Sequence, residues 1–149
     1  MKTILGLDIS SVNVGWAVVR GSKMLDNGCY RRKKDEAPGR FAQRVSDALV
    51  WSQDGAGAYV AGFQFIAYEV NMSPVDRKRQ IPMMRCYMMI GRVMALMGCP
   101  DIEVEVRADN RRKKQRRAEL EMIYGKCANE HSADALAVAH QAMARTVGR

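Results

Sequence analysis

Apolar and polar positions change period several times along the chain. Residues 2–8, KTILGLD, form a short apolar run closed by Asp8. ISSVNVG supplies turn-type residues, and WAVVR (16–20) resumes the apolar pattern. Gly21-Ser22 marks a turn, and KMLDNGCYRR (23–32) returns as a third strand, so the opening predicts an antiparallel meander. From Arg40 to Trp51 the period lengthens: Phe41, Val45, Ala48 and Leu49 recur at three- and four-residue intervals, as on a helix with one buried face. QDGAGAYVAG (53–62) is glycine-rich and predicts a loop. FQFIAYEV (63–70), with aromatic and β-branched residues, predicts a strand.

The second half alternates more regularly. NMSPVDRKRQIP (71–82), with two prolines, predicts a mobile loop. MMRCYMMIGRVMALMG (83–98) predicts a helix ended by Gly98 and Pro100. IEVEVR (102–107) alternates as a strand does. RRKKQRRAELEMIYGK (111–126) predicts a basic-to-amphipathic helix, and SADALAVAHQAMAR (132–145) another, with alanines at close-packing positions. The order β-β-β-α-β-α-β-α-α implies an α/β fold with a mixed sheet and crossovers. A length of 149 residues fits one domain spanning 1–149.

Composition narrows the partners. Apolar residues make up 48% of the chain, enough for a core. A net charge of +8 and a pI near 9.6 point to a polyanion, nucleic acid before anionic membrane. No apolar run approaches the roughly 20 residues of a membrane span. The start, MKTILGLDISS, reads as a strand rather than a signal peptide, so a cytoplasmic location is expected. Cys29, Cys86, Cys99 and Cys127 lack CxxC spacing. They read as reduced, small buried residues rather than a zinc site.

Three acids stand out. Asp8 and Glu69 each close an apolar strand segment, and Asp134 lies in the small-residue helix, three positions after His131. Each has a plainer reading: Asp8 capping a turn with Ser10 and Ser11, Glu69 a solvated strand-end charge, Asp134 a first-turn helix acid. Together they predict a metal-ion site. The ends of two parallel strands lie side by side, and open α/β sheets place sites beyond the carboxyl ends of their strands. His131 and Asp134 share one helical face. Hard oxygen ligands suit Mg²⁺ or Mn²⁺ bound to phosphate oxygens, and His131 is read as a ligand or a proton shuttle.

LGLDISSVNVGWAVV, IAYEV and HSADALAVA, in this order and spacing, resemble RuvC-type Holliday-junction resolvases of the RNase H-like superfamily. The resemblance runs from Met1 to about Met143. It implies an RNase H-like mixed five-stranded sheet, three antiparallel N-terminal strands and then two parallel ones, flanked by helices. It further implies an endonuclease cutting four-way DNA junctions with two Mg²⁺ ions (Mn²⁺ substituting), with Asp8, Glu69, His131 and Asp134 as the metal-binding and catalytic set. Glu130 ranks as an auxiliary or a bystander. RADNRRKKQRR departs from cellular members, which usually carry a Gly-containing turn and scattered lysines there. That likens the chain to compact, phage-type members acting in a host cytoplasm.

Charge is concentrated in three clusters. Arg31, Arg32, Lys33 and Lys34 form one; Arg77, Lys78 and Arg79 a second; Arg107, Arg111, Arg112, Lys113, Lys114, Arg116 and Arg117 a third. They hold 14 of the 24 basic residues, as a nucleic-acid footprint should. By the resemblance, the loop after Glu69 and the segment before the last helix flank the cleft. Met72 would then be an apolar wedge at the junction. The helix 83–98, apolar nearly all round, must bury two faces, in the core of a monomer or against a second subunit; the resemblance implies a homodimer. Three alternatives stay open: a broader branched-DNA nuclease, a catalytically silent DNA-binding module on the same fold, and an RNA-directed nuclease of the same superfamily.

Overall fold

A computed structural model describes residues 2–10, 12–69, 91, 98, 101–104 and 112–146. Three antiparallel strands open the chain: β1 (Thr3–Ile9), β2 (Asn13–Arg20) and β3 (Lys23–Arg31). Gly21, at φ 61°, takes the left-handed turn between β2 and β3. Helix α1 (Pro38–Trp51) follows, started by a proline whose missing N–H a first turn does not need. Strand β4 (Phe65–Glu69) lies parallel to β1, and β5 (Asp101–Val104) parallel to β4. Helices α2 (Lys113–Tyr124) and α3 (Glu130–Thr146) complete the order. The sheet runs β3-β2-β1-β4-β5, the mixed five-stranded arrangement expected from the sequence.

Period-two alternation sorts β1 between two cores. Leu5, Leu7 and Ile9 join Val14, Trp16 and Val18 of β2 against Phe41, Val45 and Leu49 of α1. Ile4 faces the other way, with Ala17, Val19 and Ala67, against Ala135, Leu136, Val138, Ala139 and Ala142 of α3. The even-numbered face of β1 thus lies under α3, and Asp8 shares it.

One expectation needs correction. Residues 53–62 are not a loop: Gly55–Gly62 form a 3-10 helix. Gly57 packs on the end of α1, where a side chain would run into the carbonyl oxygens of Ser52 and Ala48. Ala56 is fully buried, and Tyr59 packs on the α1-side core. Glycine here serves contact rather than disorder. The loop expected at 71–82, the helix at 83–98 apart from Gly91 and Gly98, with its dimer role, and the second half of the strand 102–107 lie outside the described residues.

Candidate active site

The site is set by where α3 begins. Asn129 Oδ1 accepts the Ser132 N–H at 2.9 Å, and Ser132 Oγ accepts the Asn129 N–H at 3.1 Å. This reciprocal cap starts the helix at Glu130, two residues before the sequence pattern placed it. His131 and Asp134 therefore lie in the opening turns, over the sheet.

Asp8 pairs with Gly15 across the β1–β2 ladder. The parallel register between β1 and β4 runs to Leu7 opposite Tyr68, and Asp8 and Glu69 are each the next residue along their strands. His131 Nδ1 stands 3.7 Å from Asp8 Oδ2. From α2, Lys113 Nζ reaches Asp134 Oδ2 at 3.3 Å and Glu130 Oε1 at 3.8 Å. Asp8, His131 and Asp134 are each about a quarter to a third exposed, so the cleft is open to solvent but not bathed in it. Among the described residues, no three of His, Cys, Asp and Glu gather closely enough to enclose a metal ion on their own.

Electrostatics tie these groups together. Burial pushes the Asp8 carboxyl above its ordinary 3.8, and the negative charge of Asp134 pushes it further. The His131 imidazole and the Lys113 ammonium act against that rise. Two carboxylates thus feel one another at the end of β1, with an imidazole and an ammonium at their edges.

The fold built around this cleft is shared by solved structures. RuvC of T. thermophilus in complex with a Holliday junction substrate superposes with a TM-score of 0.76, covering 99% of this chain and 97% of that one at 17% identity. A second Thermus thermophilus RuvC structure gives 0.73, with 97% and 96% covered at 15% identity. The chain has the RuvC fold. At sequence level, no family model and no curated protein matches.

Basic residues line the same end of this RuvC fold. Arg31, at the end of β3, pairs with Asn13 at the start of β2, just beyond the Gly15 that faces Asp8. The Arg32 N–H donates to Val12 O at 2.8 Å, pinning the 31–34 cluster to the β1–β2 turn. Arg44 of α1 fastens its far side, donating to Arg31 O at 2.7 Å and to both Glu36 carboxylate oxygens at 2.8 Å. Glu36 in turn accepts the Lys33 N–H at 3.1 Å. Its carboxyl is lowered to about 2, chiefly by the hydrogen bonds from Arg44.

Arg112, at the N-cap of α2, and Lys113 and Lys114 in its first turn are exposed, while Arg117 pairs with Glu121 at 3.6 Å. Met72, Arg77, Lys78, Arg79, Arg107 and Arg111 lie outside the described residues. Cys29 and Cys127 are free thiols, both half-buried. Among the described residues no helix is long and apolar enough to cross a membrane.

Sequence reasoning missed three positions and, for Lys113, which it placed in the third basic cluster, the approach to Asp134. Asn129 carried a readable signal, the N-x-x-S cap. Gly15 carried a partial one, as a glycine inside a strand. Lys113 looked like any member of a basic run, and its reach to Asp134 depends on how α2 packs against α3. Arg44 looked like an ordinary surface base, and its clamp on residues 31–36 depends on tertiary approach.

Proposed function

We propose that this chain is a divalent-metal-dependent endonuclease that resolves four-way DNA junctions by paired phosphodiester hydrolysis. One observation carries the reading: on a RuvC fold, Asp8 at the end of β1 stands 3.7 Å from His131 and feels the charge of Asp134. The donor set suits Mg²⁺, with Mn²⁺ as a substitute, because hard carboxylate oxygens with one imidazole match those ions. A cation there would also offset the burial and repulsion that raise the Asp8 carboxyl. Asp8, Glu69, His131 and Asp134 would hold two Mg²⁺ ions, which supply Lewis-acid stabilisation of the attacked phosphate and the departing oxygen.

The chain's own groups do the rest. Asp8, held on strand backbone at Gly15, fixes the centre of the site. His131 presents its imidazole beside Asp8, with Nδ1 3.7 Å from Oδ2, and would complete the donor set there. Lys113 offers its ammonium to the scissile strand from beside Asp134. Arg31, Arg32, Lys33 and Lys34 on one side and Arg112, Lys114, Arg116 and Arg117 on the other neutralise flanking phosphates, giving salt-sensitive, sequence-tolerant grip. Arg77, Lys78, Arg79, Arg107 and Arg111 extend that grip, and Met72 wedges at the branch. The protein acts as one RNase H-like domain of the compact, phage-type kind. It pairs through helix 83–98 so that two cuts fall symmetrically.

The test is cleavage of a synthetic four-way junction beside its linear arms, with Mg²⁺, Mn²⁺ or EDTA. Paired nicks in the junction alone, abolished by EDTA, are expected. Equal cutting of forks and flaps would make it a general branched-DNA nuclease. A second reading, a catalytically silent DNA-binding module, draws on Lys113, which already gives Asp134 a counter-ion within the chain. Tight junction binding without cuts in either metal would select it.

A further inference from the structure

Gly15 has no backbone reason to be glycine. It sits inside β2, and it is not among the four described glycines that take a positive φ. An alanine could adopt its strand conformation without strain. The space above it is what excludes a side chain. A Cβ built on Gly15 would fall within the carbonyl oxygen and carbon of His131 and 2.9 Å from its Cβ. The first two atoms are backbone, so no change of rotamer clears them. Gly6, on the neighbouring strand and the same face, repeats the arrangement further along α3. A Cβ there would run into Ala135 O and lie 2.7 Å from Ala139 Cβ.

The two glycines are thus a seat for α3, and its front edge, Gly15, is the residue paired with Asp8. We infer that Gly15 is a positioning residue: by bearing no side chain it lets the His131 backbone rest on β2 and so sets the distance between His131 and Asp8. This rests on the proposed metal-dependent reading for its consequence in catalysis, but the positioning itself does not. A Cβ at Gly15 lifts the first turn of α3, where His131 sits, with Asp134 just beyond it in the next turn. A shift of about 1 Å at a catalytic group costs about 10²-fold in rate.

The chain's two histidines make the test specific. His131 sits on the seat. His140, on the same helix, is held by Tyr124 Oη at 2.8 Å, well away from Gly15. In Gly15→Ala, imidazole NMR signals of His131 should move while those of His140 stay. Line broadening of His131 by Mn²⁺ should need at least tenfold more ion, four-way junction binding should persist, and cleavage should drop about 100-fold. Unmoved His131 signals with unchanged Mn²⁺ response would overturn the inference, and so would equal movement of both histidines, which marks general loosening. If Gly15→Ala does not fold, the wild-type protein decides: cross-relaxation between the Gly15 α-protons and His131 is required, and its absence overturns the seat. If Mn²⁺ leaves wild-type His131 sharp, the metal-dependent reading falls, while the His131 shift still judges Gly15.

Discussion

The two faces of the sheet are built from different materials. The α1 face is filled by large side chains, with Trp16, Phe41, Leu7 and Leu49 at its centre and Trp16 stacked on Tyr30 at 6.4 Å. The α3 face sets Gly6, Gly15, Ala17 and Ala67 under Ala135, Ala139 and Ala142, with Ile4, Val19, Leu136 and Val138 filling around these backbone contacts. Large side chains keep a helix at arm's length and share any displacement among many contacts. Small ones bring backbone against backbone, where a single methyl group has nowhere to go. The α1 face supplies stability through apolar area, roughly 1.5–3 kcal/mol for each fully buried large side chain. The α3 face supplies placement, and every candidate catalytic group whose side chain is described lies on it.

The largest expected effect falls on chemistry alone. Asp8→Asn should bring junction cleavage to background while gel-shift affinity for the junction stays within a few-fold of wild type. Cutting at the native rate would remove Asp8 from the site. The contrast between faces is broken most directly by a pair of variants. Leu49→Ala on the α1 face should lose about 2–5 kcal/mol in urea melts and keep its cleavage rate wherever it is folded. Ala139→Leu on the α3 face should lose less stability, about 1–3 kcal/mol, yet far more activity. If the two variants lose rate in proportion to stability, the division between the faces is wrong.

A smaller effect sharpens the point that the site is held against its own stability. The folded-state pKa of Asp8 stands above 3.8, so the folded protein binds a proton there more tightly than the unfolded chain does. Stability therefore falls as pH rises from 3.8 through the raised value, and stays lower above it. Asparagine carries no such charge. Asp8→Asn should be the more stable protein at neutral pH, by roughly 0.5–2 kcal/mol, with the gap closing below pH 3.8. A gap that does not change with pH would mean that the gain has another source. The smallest effect concerns Lys113. Lys113→Met should weaken junction binding and reduce its salt dependence by about one phosphate contact, measured as the slope of affinity against salt.

Much of this arrangement is legible in the sequence, and the rest fails for identifiable reasons. The meander, the crossing helices and the strand-end acids follow from periodicity, because alternation and helical spacing are local properties. The glycine-rich stretch at 55–62 misleads because composition cannot separate a glycine that frees the chain from one that lets two backbones touch. The start of α3 is misplaced because apolar periodicity begins only after the cap that Asn129 supplies. The link from Lys113 to Asp134 is invisible because it spans two helices whose mutual packing no local pattern encodes.

The buckle formed by Arg44 and Glu36 has a consequence for how the protein responds to acid. Glu36 stays ionised down to about 2, so the stability this pair lends is complete above 4.5 and is lost only as pH falls through about 2. Asp8, raised above 3.8, takes up its proton first on the way down. Acid therefore reaches the Asp8 end of the cleft before it loosens the strap of Arg31, Arg32, Lys33 and Lys34.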